Sequence, residues 1–318
     1  MKMAGNRRVA TSGHWEKRRE RAAKVMRQGK IMSHRFGNSE GLASHKVKSG
    51  FSVGRLGVKV LSLVAVAAAA AGTASANTTT SVNWAGYALT SANNGNNTFT
   101  SVSANFVVPT VTLGTATGLS EAAFWVGLDG DGSQRIEQIG VIAAAEVGYT
   151  PFYYAFYATG SGGVNYIAQV APGDNIAVAV SYDSLADTYG MYINDSKQGL
   201  TYTPTFDAGT NPAPSSAEWI AEPPGMTTGN TFYPLANFGS VTFTGATATD
   251  SAPATGTISA FSSTQINLNP QSGLSAVAGP LSTDGSSFTV TVATPEPAAL
   301  GLMSVGGLAI LFGRRKRR

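Results

Sequence analysis

Residues 217–222 read Ala-Glu-Trp-Ile-Ala-Glu, and Pro223-Pro224 follow directly. Side chains on a β-strand alternate between its two faces. Trp219 and the alanines on either side of it therefore share one face, which suits the core of a sandwich. Glu218 and Glu222 share the other face with the isoleucine between them, which suits a cleft wall. The prolines end strand pairing. The pattern alone leaves open an ordinary solvent-facing strand with two glutamates.

The surrounding chain predicts one all-β domain over residues 77–294. Short β-rich runs bounded by turn-forming residues recur without a fixed period, and helical periodicity is scarce, which favours a β-sandwich or barrel. We expect loops at Asn93–Asn97 and at Gly245–Thr257. The expected strands are Ser101–Val108, Ala122–Leu128, Arg135–Ala143, Phe152–Tyr157, Tyr166–Val170, Asn175–Tyr182, Tyr189–Ile193, Leu200–Thr205, Ala217–Glu222, Ser240–Thr244 and Ser287–Val292.

Charge is distributed very unevenly along the 318 residues. The formal net charge is +4, yet 20 of the 22 basic residues lie in residues 1–76 or in the last five positions. Residues 77–294 keep only Arg135 and Lys197 against 14 acidic residues, a net charge of −12. A body this acidic disfavours nucleic-acid binding, because it would repel the phosphate backbone.

Composition also excludes several kinds of active site. The chain has no cysteine, and its three histidines all precede residue 46, so residues 77–294 contain neither residue type. Cysteine nucleophiles, Ser-His-Asp triads and histidine-ligated zinc are therefore excluded from the body. Acid–base chemistry there must use mainly Asp, Glu or Tyr. A carboxylate base of ordinary pKa favours acid conditions.

The N-terminal region predicts an export signal. Residues 55–76 combine a basic start, an apolar run over Val60–Ala71 and an Ala-Ser-Ala end, which is typical of a signal peptide cut by signal peptidase before Asn77. The apolar run is too short for a membrane span of about 20 residues. Residues 1–54 form a basic leader or an extended n-region, unless translation starts inside it at Met26 or Met32.

The C-terminal residues 295–318 combine Pro-Glu-Pro, an apolar run over Ala298–Phe312 and a basic cluster. This order resembles the PEP-CTERM sorting signal of bacterial envelope proteins. The resemblance implies cleavage by an exosortase-type enzyme, transient membrane contact through a C-terminal helix, and delivery to the cell surface or the medium. A plain C-terminal anchor is the alternative, with the basic cluster on the cytoplasmic side.

Residues 124–140 predict a hairpin-like unit, with an apolar strand, an Asp-Gly turn and a return strand. Asp129 and Asp131 in the turn could ligate calcium. Because the full EF-hand spacing is absent, turn formation is the better interpretation, and we expect no metal site.

Eight motifs in order resemble the glutamic peptidases (eqolisins), particularly the bacterial members, over nearly all of residues 80–292. They are Asn83–Tyr87, Phe106–Pro109, Trp125–Gly130, Glu137–Gly140, Tyr153–Tyr157, Pro172–Ile176, Ala217–Glu222 and Phe238–Val241. The resemblance implies two curved antiparallel sheets, a concanavalin-like jelly roll, with a concave substrate cleft.

The resemblance also implies a catalytic pair, Gln138 and Glu222, with Glu218 as a structural residue. Glu222 would take a proton from water and return it to the leaving nitrogen. Gln138 would position that water and donate to the oxyanion. The implied protein is an acid-active, pepstatin-insensitive endopeptidase that acts on protein or peptide substrates without a cofactor.

Four further residues match family positions around the substrate. Trp84 and Trp125 match the aromatic positions beside the active site, with core tryptophans as the alternative. Asp129 matches an aspartate near the glutamine, with turn capping as the alternative. Phe156 stands where fungal members have tryptophan. Ala158 departs from the family, which has a cleft glutamate there that would tune the catalytic carboxylate or bind substrate.

Two other functions compete with the peptidase. Ala158 and the sorting tail suit a catalytically inactive binding or structural module at the cell surface. A glycosidase using Glu218 and Glu222 is disfavoured, because residues four apart on one strand lie about 13 Å apart. Glycosidase carboxyl groups need a separation of about 5–9.5 Å.

Overall fold

A computed structural model describes residues 77–133, 135–160, 163–209, 214–225, 231–270 and 273–293. Within these residues the chain forms strands and two short 3₁₀ turns, Ser91–Asn93 and Ile258–Ala260. The strands are β1 (Asn77–Ser81), β2 (Ala85–Thr90), β3 (Phe99–Val107), β4 (Leu119–Leu128), β5 (Glu137–Glu146), β6 (Phe152–Ala158), β7 (Asn165–Gln169), β8 (Asn175–Asp183), β9 (Thr188–Asp195), β10 (Leu200–Tyr202), β11 (Thr205–Asp207), β12 (Ser216–Glu222), β13 (Ser240–Asp250), β14 (Thr255–Thr257), β15 (Ser263–Leu268), β16 (Ser275–Ala278) and β17 (Phe288–Ala293).

The strands form two layers. The first layer, called the site sheet below, has the order β1-β15-β2-β12-β4-β5-β6-β7. The second layer has the order β16-β17-β13-β3-β8-β9, with β10 and β11 both on β9 and β14 on β13. A pairing of Leu268 with Ala276 joins the layers into one hydrogen-bonded network. Every described strand pair is antiparallel except β1 with β15.

The main core lies between the two layers. Side chains that alternate inward from both sheets fill it, including Trp219 and Phe124 from the site sheet and Phe106 and Phe243 from the second layer. A smaller apolar cluster covers the opposite face of the site sheet, called the site face below. Its buried members are Ala88, Ala123, Trp125, Ile142, Phe156, Ile220 and Ile266. The prediction of an all-β sandwich is confirmed.

The alternation predicted for residues 217–222 is also confirmed. Strand β12 lies between β2 and β4, so both of its edges are paired. Trp219 belongs to the main core, whereas Ile220 belongs to the site-face cluster. Glu218 and Glu222 share the face of Ile220, as strand geometry requires.

The prediction of a loop over Gly245–Thr257 is wrong. β13 continues to Asp250, and β14 pairs back onto it. A register shift against β3 between Thr244 and Thr247 absorbs the glycine at 245, where φ is +57°. Beyond this bulge, buried Ala246 and Ala248 alternate with threonines, which is a strand pattern built from small side chains.

The other expected strands are present with shifted ends, and one is divided. Leu200–Thr205 forms β10 and the start of β11, separated at Pro204, which has no N–H for pairing. Asn93–Asn97 is a turn, as expected. The sequence did not predict β1, β2, β14, β15 or β16.

The predicted terminal segments lie outside the described residues. These are the leader 1–54, the signal segment 55–76, and the tail 295–318 with the residue before it. The described residues begin with β1 at Asn77, and the domain boundaries stay predictions. No helix within the described part of the chain is long and apolar enough to cross a bilayer.

A buried pair of carboxyl groups, Asp174 and Asp195, lies in the second layer. Both residues are fully buried. Asp174 accepts from Gln198 Nε2 at 2.8 Å and Ala171 N at 2.7 Å, and Lys197 Nζ lies 2.9 Å from its Oδ1. Burial opposes ionisation of Asp174, but these partners outweigh it and lower its pKa. Burial, together with the negative charge on Asp174, raises the pKa of Asp195. Asp195 is therefore the member of the pair that takes up a proton first as the pH falls.

We predict that Asp195→Asn stabilises the protein at neutral pH. A raised folded-state pKa stabilises the fold in acid, and that contribution is lost as pH rises through the folded pKa. An amide mimics the protonated acid at every pH. Thermal unfolding at pH 7 should show a higher melting temperature for the variant, by roughly 2–4 °C per kcal/mol gained. The difference should vanish in acid. The exposed Asp207→Asn controls for loss of a charge, and equal behaviour of the two variants would contradict the account.

Candidate active site

The two expected catalytic residues lie on the site face of β12 and β5, the two strands that flank β4. Glu222 on β12 pairs with Ala123 of β4. Gln138 on β5 pairs with Gly127 of β4, which in turn pairs with Glu218 of β12. Gln138 is therefore level with Glu218, two strands across and four residues along from Glu222. These steps correspond to about 10 Å and about 13 Å between backbones. Only a molecule lying between the two side chains could contact both.

Trp125 forms the floor between them. It lies on β4 midway between Ala123 and Gly127, and it pairs with Ile220 on one side and Gly140 on the other. Added Cβ atoms would lie 2.9 Å from Trp125 Cζ3 at position 127 and 2.7 Å from Trp125 Cα at position 140. Gly127 therefore makes room for the indole ring, and Gly140 allows the close approach of the backbone that carries it. Trp84 packs edge-on against Trp125 with ring centroids 5.4 Å apart.

Glu222 is half-buried at the end of β12 and has an altered acidity. Its Oε2 accepts a hydrogen bond from Asn83 Nδ2 at 3.1 Å. Burial raises the pKa of Glu222 to about 7, while N–H groups of Trp84, Trp125 and Asn83 act in the opposite direction. Trp125 Nε1 lowers the pKa of Glu222, although it has no hydrogen-bond partner at ordinary distance and angle among the described residues. A carboxyl group with a pKa near 7 is matched to proton transfer around neutral pH.

Gln138 offers hydrogen-bonding capacity that is not used within the described part of the protein. Its Oε1 is buried and has no partner there. The neighbouring Glu137 points the other way, and its Oε1 accepts from Arg135 Nη2 at 3.3 Å and Gly160 N at 3.1 Å. Burial raises the pKa of Glu137, against the effects of Gly160 and Arg135. These contacts fix the start of β5, and so they fix the backbone that carries Gln138.

The Glu218 side chain accepts a hydrogen bond from the turn at residues 129–132. It is fully buried, and its Oε1 accepts from Asp131 N at 3.3 Å. Burial raises its pKa well above the ordinary value for a glutamate. The structural role expected for Glu218 agrees with these contacts. The group sits at the level of Gln138, where its side chain anchors the 129–132 turn to β12.

Asp129 also acts inside the turn. It is buried, its φ is +65°, and its Oδ1 accepts from Ser215 N at 2.9 Å and Ser215 Oγ at 3.0 Å. Its Oδ2 accepts from Tyr189 Oη at 3.4 Å. These contacts support turn capping, the alternative reading of this residue, and a contact with substrate stays a prediction. The described residues contain no cluster of three or more Asp, Glu, His or Cys side chains arranged to hold a metal.

The remaining expected residues divide into two groups. Trp84 is half-exposed beside Glu222, whereas Trp125 and Phe156 are buried in the site-face cluster. Phe156 pairs with Gly140, on the far side of the floor from Glu222. Ala158 pairs with Gln138, so a carboxylate there would act on the glutamine more directly than on Glu222. The expectation that it would tune the catalytic glutamate does not fit this register.

Sequence reasoning missed Asn83 as a site residue. Asn83 directly precedes Trp84 in the first of the eight motifs, and this adjacency was the one sequence feature that connected Asn83 with the site. It could not be used without the structure, because Asn83 reaches Glu222 across 139 residues of chain.

Comparison with known proteins identifies the domain. The Peptidase A4 family matches residues 82–292, and the PEP-CTERM protein-sorting motif matches residues 293–318. This chain belongs to the Peptidase A4 family. Its glutamic-peptidase character and its sorting motif, both expected from the sequence, are thereby confirmed. The sorting motif implies export and association with the cell surface.

Individual relatives of this Peptidase A4 chain agree with that result. Aspergillopepsin-2 of Aspergillus niger is 30% identical over 197 residues, which cover 55% of this chain and 67% of that protein. Scytalido-glutamic peptidase with a transition state analog inhibitor matches with a TM-score of 0.53 and 21% identity. SCP-B, an eqolisin in complex with the tripeptide Ala-Ile-His, matches with a TM-score of 0.51 and 23% identity. Each structure covers 67% of this chain and 98% of its own, and both support the fold.

We predict that Gly140→Ala disrupts the floor of the site. The new Cβ would lie 2.0 Å from Phe124 O, on a paired strand that cannot move freely. We expect a loss of about 1–3 kcal/mol in the free energy of unfolding, as for other overpacked positions. Urea denaturation followed by fluorescence measures it. Gly118→Ala is the control, since nothing lies within 4 Å of its Cβ position. Equal losses in the two variants would show that the close approach of β4 does not restrict position 140.

Proposed function

We propose that this protein is an exported endopeptidase that hydrolyses peptide bonds through Glu222 and Gln138. The observation that carries the proposal is the state of Glu222. Its pKa is raised to about 7, and it lies on the same sheet face as Gln138, across the Trp125 floor. Membership of the Peptidase A4 family supplies the reaction class.

The proposed reaction needs one water molecule and no cofactor. Ionised Glu222 removes a proton from water while the oxygen attacks the carbonyl carbon of the substrate. The Nε2–H group of Gln138 donates to the oxyanion that forms, and the side-chain oxygen can orient the water. The C–N bond then breaks, and Glu222 returns its proton to the departing nitrogen. Each side chain ends in its starting state.

The pH range follows from the acidity of Glu222. A general base works in its ionised form, and below a pKa of about 7 the ionised fraction falls about tenfold per pH unit. We therefore propose a working range closer to neutral than the strongly acidic one implied by family resemblance. Two features still favour mild acid: the net charge of −12 on residues 77–294 and the raised pKa of Asp195.

Inhibition and processing form the rest of the proposal. Pepstatin should not inhibit, because Glu222 is paired with a neutral amide and not with a second acid that could share a proton. The expected partners are protein or peptide substrates, signal peptidase, and an exosortase-type enzyme acting on the sorting motif. Transient anchoring in the membrane through the C-terminal segment belongs to the same proposal.

A catalytically inactive surface module is the second candidate. One observation favours it: buried Ala158 lies directly beside Gln138, where the family has a carboxylate. A protein of this kind would fold normally and bind peptide on the site face without cleaving it.

We predict that Glu222→Gln lowers kcat/KM for casein-derived peptides by about 10²–10⁴, since it removes the base. Gln138→Ala should cost about 10²–10³, as expected for one oxyanion donor. Both should be measured by peptide release from pH 3 to 8, with and without pepstatin. The wild-type profile should rise toward pH 7.

The matched control is Glu218→Gln, the same change on the same strand face. Its raised pKa means that an amide resembles its protonated form, so this variant should keep its activity. Hydrolysis that survives Glu222→Gln would contradict the proposed base. A folded wild-type protein that binds peptide without cleaving it at any pH would favour the inactive module.

A further inference from the structure

Ser81 is linked to Glu222 through a short chain of hydrogen bonds. Its Oγ donates to Asn83 Oδ1 at 3.1 Å, and Asn83 Nδ2 donates to Glu222 Oε2 at 3.1 Å. The same Oγ accepts from Asn83 N at 3.3 Å and from Trp84 N at 3.2 Å. One proton and two lone pairs are all that a hydroxyl offers, and all are used.

We propose that Ser81 is a positioning residue, which locks the Asn83 side-chain amide in the orientation that serves only the ionised form of Glu222. The inference deepens the proposed peptidase function and rests on it for its catalytic consequence. The effect of the Ser81 hydroxyl on the pKa of Glu222 can be tested without measuring catalysis.

The two ends of the Asn83 side-chain amide have opposite hydrogen-bonding roles, since the N–H group donates and the oxygen accepts. An amide that is free to rotate can donate its N–H to a carboxylate, and its oxygen can also accept a hydrogen bond from the O–H of a carboxylic acid. It therefore stabilises both protonation states of its partner. In this site the oxygen of Asn83 is held by Ser81, so the amide can only donate to Glu222. A donor that serves the charged form alone lowers the pKa of an acid. Ser81 thus keeps more Glu222 ionised than burial alone would allow.

The backbone under Ser81 is fixed, which a positioning role requires. Ser81 ends β1 and pairs with Leu268 of β15, a buried core residue. Asn269 N donates to Ser81 O at 2.8 Å. The hydroxyl therefore acts from the edge of the site sheet, held by the parallel pairing of β1 with β15.

No other group competes for control of Glu222 within the described residues. On the site face, the titratable side chains near the level of Glu222 are Glu218 on the same strand, Glu121 on β4 and Tyr154 on β6, which is level with Glu222 through Ile142 and Ala123. Tyr87 of the adjoining β2 belongs to the main core instead. None of them contributes to the shift of Glu222, which comes from burial and from the Trp84, Trp125 and Asn83 donors. The two basic residues of the body lie beside other carboxylates, Glu137 and Asp174.

The test compares Ser81→Thr with Ser81→Val, which have nearly the same shape and differ in the hydroxyl. The pKa of Glu222 is read by NMR from the side-chain carboxyl carbons of ¹³C-glutamate-labelled protein, and Glu222→Gln assigns the signal. Ser81→Val should raise the pKa of Glu222 by about one unit, the order expected for one hydrogen bond. Ser81→Thr should leave it close to the wild-type value. The acid limb of kcat/KM should move with the NMR value.

Two controls separate positioning from folding. Thr80→Val removes a hydroxyl from the exposed preceding residue of β1 and should change nothing. Asn83→Ala should raise the pKa of Glu222 by itself, and adding Ser81→Val to it should have no further effect, because Ser81 acts through Asn83.

The proposal is overturned if Ser81→Val and Ser81→Thr give the same pKa for Glu222. It is also overturned if Ser81→Val lowers the melting temperature while that pKa stays unchanged, since the hydroxyl would then only cap the turn. Absence of hydrolysis by the wild-type protein would refute the proposed peptidase, and the NMR titration would still decide the role of Ser81.

Discussion

Trp219 ties the two layers of the sandwich together and decides which way β12 faces. Its indole is fully buried, and Nε1 donates to Ser103 O of the second layer at 2.9 Å. A shift of β12 by one residue would move Trp219 to the site face and turn both glutamates into the core. That arrangement would bury two charged groups among apolar side chains at high cost. The position of Glu222 is therefore a consequence of where a large side chain must be buried.

Because the body is acidic and has few basic residues, its buried carboxyl groups are stabilised in different ways. Only two basic residues are available to residues 77–294, and they lie beside Glu137 and Asp174. Glu218 and Asp129 accept hydrogen bonds from turn residues, and burial together with the charge on Asp174 raises the pKa of Asp195. Glu222 receives only neutral N–H donors, which leave its pKa near 7. Glu222, the proposed base, thus differs from Glu137 and Asp174 in being surrounded by neutral donors, without a basic side chain beside it.

Parts of the fold could be predicted because their residues carry local signals. The alternation at Trp219 gave the correct faces of β12, and the Pro204 position explains why one expected strand is two. The Gly245–Thr257 segment was mistaken for a loop because threonine and alanine are small and the glycine suggested a break. Its strands depend on pairing with β3 and β14, which is information from distant parts of the chain.

The site could be predicted less completely, because its geometry depends on register. Gln138 and Glu222 came from motif resemblance, and the structure adds their arrangement about Trp125. Asn83 was missed since its contact with Glu222 spans 139 residues. The sequence suggested that a carboxylate at position 158 would act on Glu222. The pairing of β5 with β6 places Ala158 beside Gln138 instead.

The central claim is that Glu222 and Gln138 act as one unit on the same peptide bond, although their backbones lie far apart on the sheet. A double-mutant cycle on kcat/KM, with Glu222→Gln, Gln138→Ala and their combination, tests it most directly. The account predicts strong non-additivity, in which the second substitution costs little once the first is present. If the losses in the two single variants simply multiply in the double variant, the residues act independently, and the account is contradicted.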